Sequence, residues 1–204
     1  MNQSETSIKS PAPPIPAPLN ALDAAGNGVQ LRFVWQGDRF GHVIEMIKAG
    51  APTYHLLQSR ESDAKEYWPT SPPIQQLSLE QIGNAPTALG VGATGGGHWS
   101  ISVHAEQIQD KLGLLFDVAL KVSIPPVRCG SGYTAFSDDS PKAMPQAKPF
   151  EILPLSKIAP TNVQLTSSVW QIVPQQTQSQ QETNGIKSDD MHGTIRWAYF
   201  ISLA

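Results

Sequence analysis

The chain has little of what usually announces a function. It holds one cysteine, Cys129, so it can form no internal disulfide. That fits a reducing compartment. Charged residues make up only 15% of its 204 positions, well below the share in an average globular protein. The lysines and arginines are scattered singly, and the net charge is −3. A phosphate backbone would find no basic stripe, which argues against nucleic acid as a partner. No apolar run of signal-peptide length opens the chain. No stretch approaches the roughly 18 apolar residues of a membrane helix. The expected setting is therefore cytoplasmic, with no membrane partner.

Catalytic signatures are missing as well. Gly-x-Ser-x-Gly does not occur. The glycine-rich stretch Gly92–Gly97 lacks the Gly-Lys-Ser/Thr ending of a phosphate loop, and its flanks read as a hairpin. It is expected to be a mobile turn with glycine at positive φ, or else a flexible lip over a binding surface. Asp138-Asp139 has no regular calcium-loop spacing around it. Cys129 and Ser131 read as loop residues that could be exposed, but no motif pairs either with a base. No cofactor and no metal site are expected.

What the chain does have is proline and glycine, 18 and 16 residues respectively, which suits a turn-rich β protein. Residues 1–26 read as a disordered proline-rich leader, with prolines at 11, 13, 14, 16 and 18. A single β domain is expected over 27–204. Val29, Leu31, Phe33 and Trp35 alternate with polar residues, Val34 excepted, turn at Gly37-Asp38, and return through Phe40, His42, Ile44 and Met46. This period of two marks a hairpin with one buried face. His42 falls on the apolar face, where a hydrogen-bonded core histidine is usual.

A third strand is expected over 53–59, and 74–82 could be a strand or a short helix. Thr87–Ala93 and His98–Ala105 alternate. After a loop of about eight residues, Leu114 to Ile124 reads as the longest strand, stopped by Pro125-Pro126. Residues 127–161 read as irregular. Val163–Val173 and Gly193–Leu203 read as two strands that pair with each other, separated by a flexible glutamine-rich loop at about 174–192. Strands joined by turns argue for antiparallel pairing. The fold class is mainly β with little helix, an antiparallel β-sandwich or partly open barrel.

Two features could carry function. His98, Ser100, Ser102 and His104 share the polar face of one strand, next to the glycine-rich turn. The two histidines lie roughly 20 Å apart at about 3.3 Å per residue, too far to share a metal. Five tryptophans are present. Most should be core, but Trp170 falls on the more polar side of its strand and is the best exposed platform, with Trp68 second. Asp117 and Glu45 read as solvated carboxylates on polar faces.

The segments His98-Trp99-Ser100-Ile101-Ser102-Val103, Phe116-Asp117-Val118-Ala119 and Gly130-Ser131-Gly132-Tyr133 together resemble a family of uncharacterised bacterial proteins. In that family a His-Trp-Ser strand is followed by a Phe-Asp-Val-Ala strand. The resemblance covers the central third of the chain. It implies a bacterial origin and brings no activity with it.

Three functional readings follow. The first is a non-enzymatic β module that binds a protein partner or small ligand through His98, Ser100, Ser102, His104 and Trp170. The second is a hydrolase with His98, His104 or Asp117 as base or ligand. The third is a homo-oligomer joined through edge strands. A histidine beside a carboxylate in a closed pocket would favour the enzyme, and an open face would favour binding.

Overall fold

The computed structural model describes residues 12–63, 65–136, 149–175 and 193–204. These form thirteen strands and no helix: β1 (Leu19–Leu22), β2 (Gly28–Trp35), β3 (Phe40–Ile47), β4 (Tyr54–Ser59), β5 (Gln76–Ile82), β6 (Ala85–Thr94), β7 (Gly97–Ile108), β8 (Lys111–Val122), β9 (Ser131–Ala135), β10 (Phe150–Pro154), β11 (Thr161–Thr166), β12 (Val169–Pro174) and β13 (Gly193–Leu203). No helix among them is long and apolar enough to cross a membrane.

The strands build two antiparallel sheets, ordered β1-β2-β3-β4-β9-β12-β11 and β10-β13-β8-β7-β6-β5. The sheets are not closed into a barrel. They pack face to face as a β-sandwich, with β1 lying over β6, β7 and β8, and β2 and β12 against β13. One apolar cluster fills the space between them, from Leu31, Ile44 and Leu57 on the first sheet to Phe116, Val118 and Trp197 on the second. Each such side chain stabilises the fold by about 1.5–3 kcal/mol when fully buried.

The expected β2–β3 hairpin is present, with Leu31 opposite Ile44 and Phe33 opposite His42. The segment 74–82 resolves as strand β5, paired with β6. The β6–β7 turn is glycine-rich for a different reason than expected. Neither Gly95 nor Gly96 has a positive φ. A Cβ on Gly95 would sit 2.4 Å from the Tyr67 ring, and one on Gly96 would sit 2.4 Å from the Trp68 ring. Thr94 Oγ1 donates to the Tyr67 carbonyl at 2.8 Å, so the turn is packed against two aromatics.

Other expectations give way. Leu19 and Ala21, inside the expected leader, are buried in strand β1, which pairs with β2. Its apolar alternation is only four residues long, too short to stand out beside so many prolines. The expected loop before Gly113 is a two-residue turn at Gln109-Asp110, with φ of 51° and 63°. This is the backbone of a tight hairpin connection, and it joins two strands of 12 residues each. The expected irregular region contains β9 and β10.

Val163–Val173 is not one strand. It folds into the β11–β12 hairpin, turning at Ser167 and Ser168, both with positive φ. Nor does it pair with the last strand. β12 bonds β9 and β11 in the first sheet, whereas β13 bonds β8 and β10 in the second. The glutamine-rich segment therefore joins the two sheets. Residues 1–11 of the leader, Asp138-Asp139 and residues 176–192 lie outside the described residues.

Candidate functional site

The polar row lies on the outer face of the second sheet. Along β7, Trp99, Ile101 and Val103 point into the core, while His98 and Ser100 are exposed and Ser102 and His104 half-buried. Register carries this face across the sheet. His98 stands between Ala93 of β6 and Lys121 of β8, Ser100 between Val91 and Ala119, and Ser102 between Leu89 and Asp117. On β13, Thr194 lies beside Lys121.

Two shallow depressions mark the face. The larger, about 550 Å³, is lined by Gln75, Gln76, Val91, His98, Lys121 and Thr194 among others, with no carboxylate among the described residues. The second, about 430 Å³, contains Ser100, Ser102, Asp117 and Arg196. Val91, Ser100 and Ala119 line both.

The charged groups on this face are largely paired. Arg196 grips Asp117 with two hydrogen bonds, Nε to Oδ1 at 2.7 Å and Nη2 to Oδ2. His104 Nε2 lies 3.5 Å from Glu106 Oε2. That contact is open to solvent on both sides, with side chains 29% and 46% exposed.

Trp170 is elsewhere. It lies on β12 in the first sheet and is half-buried, its ring edge-on to Phe150 at 5.8 Å. With His55, Phe136, Leu165 and Ser168 it lines an apolar cleft of about 250 Å³. The structure thus gathers His98, Ser100, Ser102 and His104 and leaves Trp170 apart. Trp68 is no platform, being buried against Trp99.

The densest polar network is assembled inside the sandwich around His42, which is the hydrogen-bonded core histidine its place on the apolar face predicts; its partners did not show in the sequence. His42 Nε2 hydrogen-bonds the Tyr133 hydroxyl at 2.8 Å, and that hydroxyl bonds the Tyr199 hydroxyl at 2.7 Å. Phe33 and Phe116 flank the imidazole. Nearby, Ser59 Oγ accepts from the His42 backbone N–H and donates to Glu61 Oε1. Trp197 Nε1 donates to Ser131 Oγ at 3.0 Å.

Burial sets the electrostatics here. Desolvation lowers the His42 pKa from 6.5 to about 4, raises Glu61 from 4.5 to about 6, and holds Tyr133 well above its ordinary value. His42 Nδ1, Glu61 Oε2 and Arg39 Nη1 are buried without a hydrogen-bond partner among the described residues. The relay ties polar groups of β3, β9 and β13 together inside the core.

Three further sequence readings are corrected. Ser131 is not an exposed loop residue but opens β9 and is buried. Cys129 is half-buried, and desolvation pushes its thiol up to about 11, which suppresses the nucleophilic thiolate. Glu45 is not solvated. It is buried on the outer side of β3, between Arg32 at 2.8 Å and His55 at 3.0 Å. Among the described residues, no three His, Cys, Asp or Glu side chains are placed to hold a metal ion. No protein-family model, curated protein or solved structure matches the chain.

Proposed function

We propose that this domain is a non-catalytic binding module, and that the outer face of its second sheet receives an acidic partner around His98, Ser100 and Lys121. One observation carries this reading. The larger depression sets Lys121 beside His98, with hydroxyl and amide side chains around them and no carboxylate in its lining among the described residues. Such a surface offers donors and positive charge, while Val91 and Ala119 supply apolar contact.

The hydrolase reading has weaker support. Asp117 is engaged by Arg196, and the His104–Glu106 contact sits on an open surface, whereas general-base chemistry favours an enclosed group aimed at substrate. A cytoplasmic setting fits the single, half-buried Cys129.

The test is a titration of the isotope-labelled full chain with hexaglutamate, followed by amide chemical shifts, with hexalysine as control. Shifts at His98, Ser100, Lys121 and Thr194 are expected with the acidic peptide only. Lys121→Glu should abolish them. Shifts absent from this face, or equal with both peptides, would overturn the reading.

A further inference from the structure

We propose that β5 is a dimerisation edge, along which a second copy of this chain adds its own β5, antiparallel, about a two-fold axis at Leu79. Four strands end the two sheets. Among the described residues these are β1, β11, β10 and β5. Folded proteins blunt exposed edges with short strands, prolines or charge, because unpaired backbone groups otherwise template further pairing.

β1 has four residues and follows Pro16 and Pro18. β10 starts next to Pro149 and ends at Pro154, and its Glu151 is ion-paired with Lys111. β11 follows Pro160, and most of its side chains are exposed, so pairing there would cover little of the core. β5 is the least protected of the four, although Gln76, Glu80, Gln81 and Ile82 are exposed. It is seven residues long, without proline or lysine, and carries one charge, Glu80.

The side chains of β5 also look unfinished. Leu77 and Leu79 face inward and pack on the core cluster, yet both stay half-buried. The reason lies in how the sheets overlap: β1, the outermost strand of the first sheet, lies over β6, β7 and β8. Ile82 at the strand's end is 53% exposed. A further strand beside β5 would cover all three.

A second copy fits this edge by register. Centred on Leu79, self-pairing sets Gln76 against Ile82, Leu77 against Gln81 and Ser78 against Glu80, so all seven residues find mates. Each Glu80 meets a serine, and the two carboxylates do not oppose each other. A two-fold axis normal to the sheet keeps inward faces on the same side, so the leucines of both copies form one apolar strip. The proposal does not rest on the acidic-partner reading: the depression reaches Gln76 at the start of β5, but Lys121 lies three strands away on β8.

The experiment is light scattering on the full chain over a wide dilution series, with hydrogen exchange on the same samples. A concentration-dependent mass twice the 22.0 kDa of the chain is expected. Ser78→Glu sets a carboxylate opposite the partner's Glu80 at two symmetric places and should weaken dimerisation by about tenfold. Adding Glu80→Lys to that variant should restore the dimer, which a merely misfolded variant would not do.

Lys121→Glu should leave the mass unchanged, which separates this test from that of the acidic-partner face. A monomer at every concentration would overturn the proposal, as would a dimer indifferent to Ser78→Glu. A monomer in which the β5 amides directed away from β6 also exchange slowly would overturn it too, since the chain's own residues would then cover the edge.

Discussion

At the scale of single residues, two buried groups link stability to pH in opposite directions. His42 is held neutral, its pKa lowered from 6.5 to about 4 by burial. Its contribution is complete above pH 6.5 and is lost as pH falls from there toward 4, about 3 kcal/mol in all. Glu61 is raised from 4.5 to about 6, chiefly by burial. The fold favours its neutral form, so this contribution is complete below pH 4.5 and is lost as pH rises through 6, roughly 2 kcal/mol.

Glu61→Gln should therefore stabilise the protein at pH 7 by roughly 2 kcal/mol and change little at pH 4. An amide keeps the oxygen that accepts from Ser59 and removes the charge that burial penalises. Urea unfolding at several pH values measures this, and equal stability at pH 7 would contradict it. The chain showed His42 as a hydrogen-bonded core histidine, as it is, but not its partners. His42 and Tyr133 lie 91 positions apart and Tyr133 and Tyr199 lie 66 apart, and no local pattern links residues at such separations.

At the scale of elements, legibility followed alternation. β2, β3, β7, β8 and β13 were plain because each sets an apolar inward row against a more polar outward one. β9 was hidden because Ser131, Gly132 and Tyr133 are all buried. Gly132 faces Thr70 of the crossing segment, whose Cγ2 would sit 2.7 Å from a Cβ there, so no polar face shows in the strand's sequence. The row from His98 to His104 was legible for the opposite reason, being polar where solvent meets the sheet. The separation of Trp170 from that row depended on strand order, which periodicity does not encode.

The β7–β8 turn was missed because Gln109-Asp110 lacks the Asn-Gly signature of such turns, although both residues adopt positive φ. That mismatch is correctable. Gln109→Asn with Asp110→Gly should stabilise the fold by about 1 kcal/mol, since the new pair tolerates left-handed backbone. A rise in the urea midpoint at constant slope would show it. An unchanged midpoint would mean the turn carries no strain.

At the scale of the whole molecule, one apolar cluster spans both sheets, and neither sheet has a core of its own. The two should unfold together. Tryptophan fluorescence, with Trp68, Trp99 and Trp197 in the core, and far-ultraviolet circular dichroism should then trace a single coincident urea transition. Two separated transitions would show that one sheet survives without the other.

The placement of β13 has a consequence for how the chain comes to fold. It lies between β8 and β10, inside the second sheet, and pairs with ten residues of β8. On the ribosome β5 through β8 emerge long before it. Until Gly193–Leu203 is made, the long edge of β8 faces water with the seat of Trp197 vacant. Completion of this sheet must wait for Gly193–Leu203, through contacts remote in sequence and slow to close. Until that strand is inserted, the apolar inward row of β8 lacks its neighbour and is open to aggregation.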